Sequence, residues 1–135
     1  MIHYRDDYIP SLEEARELYK SCSLGARRPV DDDARFGAML KNANITITAW
    51  EGELLVGISR SVSDFAYCTY LSDLAVRETH QRAGIGRELT RRTQDAVPQA
   101  NLILLAAPAA VDYYPRIGFR HHASAWLLHA GDVLR

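Results

Sequence analysis

The sequence predicts an α+β (mixed α/β) fold, and three observations carry that prediction. Strand-type alternation recurs through Ile45–Trp50, Leu54–Arg60 and Tyr67–Val76. Helical spacing of apolar residues occurs before those strands, from Ser11, and after them, from Gly84. Strands grouped ahead of a strand–helix–strand unit indicate a mixed sheet with helices on both faces. With 135 residues, 47% of them hydrophobic, the chain has the material for one domain over 1–135 with a substantial core.

The elements follow in order. After a short N-terminal strand, Ser11 caps a helix whose first turn carries Glu13 and Glu14 and whose apolar face is Leu12, Ala15, Leu18 and Tyr19. It ends near Cys22, before Gly25. The polar connection SLGARRPVDDD leads to a second helix over Arg35–Lys41, with Asp31–Asp33 at its positive end. Ile45, Ile47 and Ala49 alternate with Thr46, Thr48 and Trp50, and Glu51-Gly52 turns that strand into the next. Tyr67–Val76 then leads to the helix Gly84–Ala96, a strand Leu102–Ala106, a short helix at Ala109–Arg116 and a terminal strand or strand pair in Phe119–His129. The predicted order is β-α-α-β-β-β-α-β-α-β.

Charge excludes some partners. Sixteen basic residues against 17 acidic ones leave a net charge of −1, so no global field attracts nucleic acid or an anionic membrane. Apolar runs such as Leu102–Ala107 are far shorter than the roughly 20 residues of a membrane span. The N-terminus MIHYRDDYIP lacks a signal-peptide core, so a cytoplasmic location is expected. Cys22 and Cys68 form no metal-like spacing, and the histidines are scattered, so no metal is expected.

The stretch HQRAGIGREL, residues 80–89, concentrates the chemistry. Leu89 stands where a dinucleotide fingerprint needs a small residue, and the Gly-Lys-Ser/Thr ending of a nucleotide-hydrolase loop is absent. What remains is a strand end followed by two glycines at the mouth of a helix. Gly84 and Gly86 let the backbone approach a ligand, the first-turn amides lack intrahelical partners, and the helix dipole is positive there. These features suit a pyrophosphate, and Arg82 and Arg87 flank it with charge. The plainer reading is a helix entry turn whose glycines relieve strain.

The stretch LAVRETHQRAGIGRELTRRT resembles motif A of the GCN5-related N-acetyltransferases (GNAT), whose signature is Gln/Arg-x-x-Gly-x-Gly/Ala. Gln81-Arg82-Ala83-Gly84-Ile85-Gly86 matches it at every defined position. A second family landmark is matched by YYPRIGF, Tyr113 to Phe119, and SLGARRPVDD with ILLAAPAAVDYYPRIGF resembles a bacterial subgroup. The resemblance implies a central mixed, mostly antiparallel sheet of six to seven strands flanked by about four helices. One departure is Ala107, where many relatives carry an asparagine that contacts the cofactor.

The resemblance further implies acetyl-CoA as co-substrate and a primary amine of a small molecule or peptide as acceptor. Cofactor contacts carry over to Leu74, Ala75 and Val76 on a strand splayed from its neighbour. They carry over also to Gln81, Arg82, Ala83, Gly84, Ile85, Gly86 and Arg87 in the turn, and to Tyr114. The Leu74 amide would stabilise charge on the acetyl oxygen, and Tyr114 would protonate the departing thiolate. A homodimer is a common assembly in the family.

The base is less determined. Asp73 is the nearest carboxylate to the presumed acetyl site, yet alternation sets Tyr70, Ser72 and Leu74 on one face and Asp73 on the other unless a bulge re-aims it. Water-mediated deprotonation, with Asp73 in a structural hydrogen bond, is the alternative. Arg27, Arg28, Tyr70 and Ser72 are candidate acceptor contacts. A second functional class, a non-catalytic acyl-CoA-binding sensor or assembly module, has no need of an acid such as Tyr114 beside the sulfur.

Overall fold

Ser11 begins the first helix, α1 (Leu12–Lys20), as expected: its hydroxyl accepts from the Glu14 amide while the Glu14 carboxylate accepts from the Ser11 amide. The second helix, α2 (Asp33–Asn42), is capped by Asp32, whose carboxylate accepts from the Arg35 amide. A 3-10 turn at Ser23–Arg27 lies between them. The computed structural model describes residues 1–135 and divides them into two compact units, Met1–Leu105 and Ala106–Arg135.

The first unit holds one sheet in the order β1 (His3–Arg5), β2 (Ile45–Glu51), β3 (Leu54–Ser63), β4 (Cys68–Val76) and β5 (Asn101–Ile103). β1 to β4 are antiparallel neighbours, and β5 runs parallel to β4. The parallel crossover is made by α3 (Ile85–Ala96), as a strand–helix–strand unit requires. One apolar cluster, built on Tyr19, Phe36, Leu40 and Ile58, joins α1 and α2 to one face of the sheet. A second, built on Ile47, Val56, Ile85 and Leu89, joins α3 to the other. At Gly57 a Cβ would stand 3.0 Å from the Leu89 side chain, so this helix packs closely on β3 and a larger residue there would have to displace that side chain.

Two irregularities shape the β4 side. The register between β3 and β4 shifts, with Arg60 opposite Asp73 and Ser61 opposite Leu71, so Ser72 is an extra residue bulged out of β4. Pairing with β5 covers only Cys68–Tyr70, opposite Asn101–Ile103. Beyond Tyr70 the strands part.

The second unit contains a 3-10 turn at Pro108–Ala110 and α4 (Tyr113–Arg116). The helix expected at Ala109–Arg116 is thus two short pieces. The terminal strand expected within Phe119–His129 does not form, and the sheet has five strands, not six to seven. Trp126, Leu127 and Leu128 are consecutive apolar residues instead of alternating ones, and no ladder partner organises them into a strand. The strand expected over Leu102–Ala106 likewise stops at Ile103. No helix is long and apolar enough to cross a membrane.

Candidate functional site

The phase of the β4 peptides fixes what its open edge offers. The Asn101 amide donates to the Tyr67 carbonyl, so Tyr67 faces the β5 side, whereas the Arg77 amide donates to the Val56 carbonyl and faces β3. Both positions are odd-numbered, and in an uninterrupted strand they would face the same way. The extra residue at Ser72 reverses the phase between them. As a result the peptides of Leu74 and Val76 turn from β3 toward the edge that β5 leaves uncovered. Sequence reasoning anticipated the splay; the bulge determines which amides it exposes.

Downstream of that edge lies the glycine turn. Gly84 adopts φ 85°, the left-handed region, and is the N-cap of α3 without any side-chain cap. Arg82 is also left-handed, at φ 64°. The first helical bond runs from the Glu88 amide to the Gly84 carbonyl, so the amides of Ile85, Gly86 and Arg87 precede the helical ladder. Successive amides at such a turn make an anion-binding concavity. Ala83 lies exposed on its rim, while Ile85 turns inward to the core.

The cations around the turn divide into two groups. Arg91 and Arg92 pair with Glu88, and these partners lower the Glu88 pKa to about 2. Arg82 and Arg87 are exposed and engaged by no carboxylate. Gln81 has a different part: its side-chain nitrogen donates to the Val76 carbonyl at 3.0 Å, tying the turn to the end of β4.

Asp73 and Ser72 form a buried junction on the opposite side of the bulge. The Asp73 carboxylate is fully buried; Oδ1 accepts from Arg28 Nε, and Oδ2 accepts from both Arg60 Nε and the Tyr19 hydroxyl, each at 2.7 Å. Burial alone would raise the Asp73 pKa, but the bonds from Arg60 and Tyr19 and the charge of Arg28 hold it below the usual value. Burial and the Asp73 charge push the Tyr19 hydroxyl well upward. Ser72 also turns to this side: its hydroxyl accepts from Arg60 Nη2 at 2.9 Å, and its carbonyl accepts from Arg28 Nη2 at 2.9 Å. Simple alternation had set Ser72 and Asp73 on opposite faces; the bulge puts both against Arg60.

The sequence reading omitted Arg60 and assigned Tyr19 only to an apolar face. The available signal was an arginine inside the otherwise apolar and hydroxylic run LLVGISRSVS, which demands a buried acid. Of the other acceptor candidates, Arg27 is exposed without a carboxylate partner, and Tyr70 is 38% exposed on β4.

In the second unit, Tyr114 is half-buried on α4 and its ring meets Phe119 edge-on at 5.4 Å. The Phe119 and Ile117 amides both donate to the Tyr114 carbonyl, and Gly118 at φ 107° turns the chain between them. The YYPRIGF string is therefore a closed helix-terminating turn that packs Tyr114 on Phe119.

Residues 27–128 match a family model described as an acetyltransferase (GNAT) domain. Over 129 residues the chain is 27% identical to an uncharacterised N-acetyltransferase, ycf52, of Pyropia yezoensis, a match covering 87% of this chain and 72% of that protein. Among solved structures it resembles the GNAT family protein SP0256 of Streptococcus pneumoniae TIGR4, with TM-score 0.74, 24% identity, and coverage of 95% of this chain and 98% of that one. It also resembles AAC(6')-Iy in complex with the bisubstrate analog CoA-S-monomethyl-acetylneamine, with TM-score 0.72, 15% identity, and coverage of 96% and 97%. At these identities the structural likenesses establish a shared fold.

Proposed function

The chain belongs to the GNAT family of acetyltransferases, and on that premise we propose that it transfers the acetyl group of acetyl-CoA to a primary amine by direct attack. One observation carries the proposal: an open strand edge bearing the Leu74 and Val76 peptides runs, through the Gln81–Val76 bond, into an uncapped helix start led by Gly84. An extended amide-containing chain ending in a pyrophosphate needs both halves of that track.

The residues present fit the cofactor. The Ile85, Gly86 and Arg87 amides bind the pyrophosphate, with Arg82 and Arg87 adding charge from their side chains. The Leu74–Val76 edge holds the pantetheine by main-chain hydrogen bonds. When bound, acetyl-CoA supplies the acetyl group as an activated thioester. Attack on it builds negative charge on the carbonyl oxygen, and the Leu74 amide, fixed in the strand, stabilises that charge without reorganising. Exchanging the Leu74 side chain for another apolar one changes little, because the donor is main chain. Tyr114, by its place in the YYPRIGF string, gives its phenolic proton to the departing sulfur.

Asp73 is assigned a positioning role in place of the expected base. Four donors, Arg28, Arg60, Tyr19 and the Ser72 hydroxyl, occupy its carboxylate, and two guanidinium groups suppress its basicity. Water takes a proton from the acceptor ammonium before attack, freeing the nitrogen lone pair that forms the new C–N bond. Arg27 and Tyr70 remain accessible as acceptor contacts, whereas Arg28 and Ser72 are engaged within the protein.

The test is a calorimetric titration with acetyl-CoA and, separately, with pantetheine lacking the pyrophosphate, followed by an amine panel scored by release of CoA thiol. Tight binding of acetyl-CoA alone, with thiol release on an amine, is the expected result. Absence of acetyl-CoA binding overturns the proposal.

A further inference from the structure

We propose that Arg28 is a positioning residue for acetyl transfer: it clamps the bulge at Ser72 and thereby sets the direction of the Leu74 amide. The inference rests on the proposed role of that amide. Arg28 lies on the connection between α1 and α2, 45 residues from Asp73 in sequence. Its guanidinium bonds the Asp73 carboxylate, the Ser72 carbonyl and its neighbour's carbonyl, Arg27 O, at once.

The Ser72 contact is the informative one. A bulged residue falls outside the ladder, so its backbone groups need partners from elsewhere. Arg28 supplies the partner for the Ser72 carbonyl, and Arg60 holds the Ser72 hydroxyl. The clamp therefore grips the one residue whose insertion reverses the peptide phase of β4. If the bulge flattened and the downstream half of β4 slid one position along β3, its peptides would exchange edges, and Leu74, two residues beyond Ser72, would turn back toward β3. Asp73 completes the clamp by accepting from Arg28 on one carboxylate oxygen and Arg60 on the other, with Tyr19 bracing the same carboxylate.

Arg28 is also the member open to substitution. Its side chain is 21% exposed, against 8% for Arg60 and none for Asp73. Removing it does not empty either apolar cluster, whereas replacing Asp73 or Arg60 leaves a buried charge without its partner. Lysine at this position keeps the charge but cannot reach two acceptors with a rigid planar fork.

The experiment compares Arg28→Lys and Arg28→Ala with the parent chain by three measurements: amide chemical shifts and hydrogen exchange of Leu74 and Val76 in the ligand-free protein, acetyl-CoA affinity, and steady-state kinetics with a responsive amine. In both variants we expect the Leu74 and Val76 amides to shift and exchange faster. We expect kcat to fall roughly ten- to a hundredfold and acetyl-CoA affinity to weaken by less than that, because the intact Gly84 turn still holds the pyrophosphate, with the amine KM nearly unchanged. Unaltered Leu74 and Val76 amides in folded Arg28→Lys overturn the clamp, whatever the kinetics. Altered amides with unchanged kcat overturn its role in transfer. If Arg28→Ala does not fold, Arg28→Lys decides. Should no amine be acetylated by the parent chain, the acetyltransferase assignment of this site fails separately, and the amide measurements still decide whether Arg28 holds the bulge.

Discussion

The side-chain amide of Gln81 donates to the carbonyl of Val76 at 3.0 Å, fastening the glycine turn to the final residue of β4. The bond links the two halves of the proposed cofactor track. Gln81→Ala is expected to weaken acetyl-CoA binding by roughly two- to tenfold, the range of one neutral hydrogen bond of about 0.5–1.5 kcal/mol. Titration of the variant tests this, and unchanged affinity would show that the turn keeps its place without the tie.

Gly84 sits at φ 85° with open space where a Cβ would project. Alanine there meets no clash, so its cost is backbone strain of about 1–2 kcal/mol. Gly84→Ala is expected to lower Tm by roughly 5 °C and to weaken acetyl-CoA binding as the turn relaxes. A thermal melt beside a titration separates the two effects; normal affinity in a destabilised variant would remove the turn from cofactor binding.

Tyr114→Phe keeps the ring against Phe119 and deletes only the hydroxyl. Turnover is expected to fall by about a hundredfold, the lower range for a lost general acid, while acetyl-CoA affinity holds. Equal turnover in the two proteins would exclude the phenol from the reaction.

Asp73 makes stability sensitive to acid. Its folded-state pKa lies below the usual value, burial being outweighed by Arg60, Tyr19 and Arg28. The unfolded chain therefore binds its proton first as pH drops, so the stabilisation is present above the unfolded pKa of about 3.9 and is lost as pH falls through the folded one. Asp73→Asn is expected to flatten that acid limb in denaturant titrations. At neutral pH it should cost about 3–5 kcal/mol, because Arg60 and Arg28 are left facing each other without their acid. A variant with the parent's stability and acid slope would contradict the ion-pair reading.

Much of this was legible from local pattern. Ser11 with Glu14, Asp32 before α2, and the alternation of β2 and β3 are signals carried by neighbouring residues, and the helices and strands they announce are present. The glycine spacing likewise marked the start of α3. The Arg28–Asp73–Arg60 junction was not legible, because its members come from three separate elements and only folding brings them together. Nor was the position of the bulge, which depends on register between β3 and β4 and leaves no turn residue as a marker. The C-terminal strand was overread: Trp126, Leu127 and Leu128 have strand-compatible composition, but a strand is made by its neighbour.

The single extra residue at Ser72 has a consequence for chain length. Deleting Ser72 would leave a regular ladder in which Leu74 and Val76 still face the open edge, whereas flattening the bulge at unchanged length would put the Asp73 and Ala75 peptides there. Loops elsewhere on the first unit can grow or shrink with modest penalty, but in this strand length and peptide facing are coupled, so a chain of the same length without its bulge would offer the other set of amides.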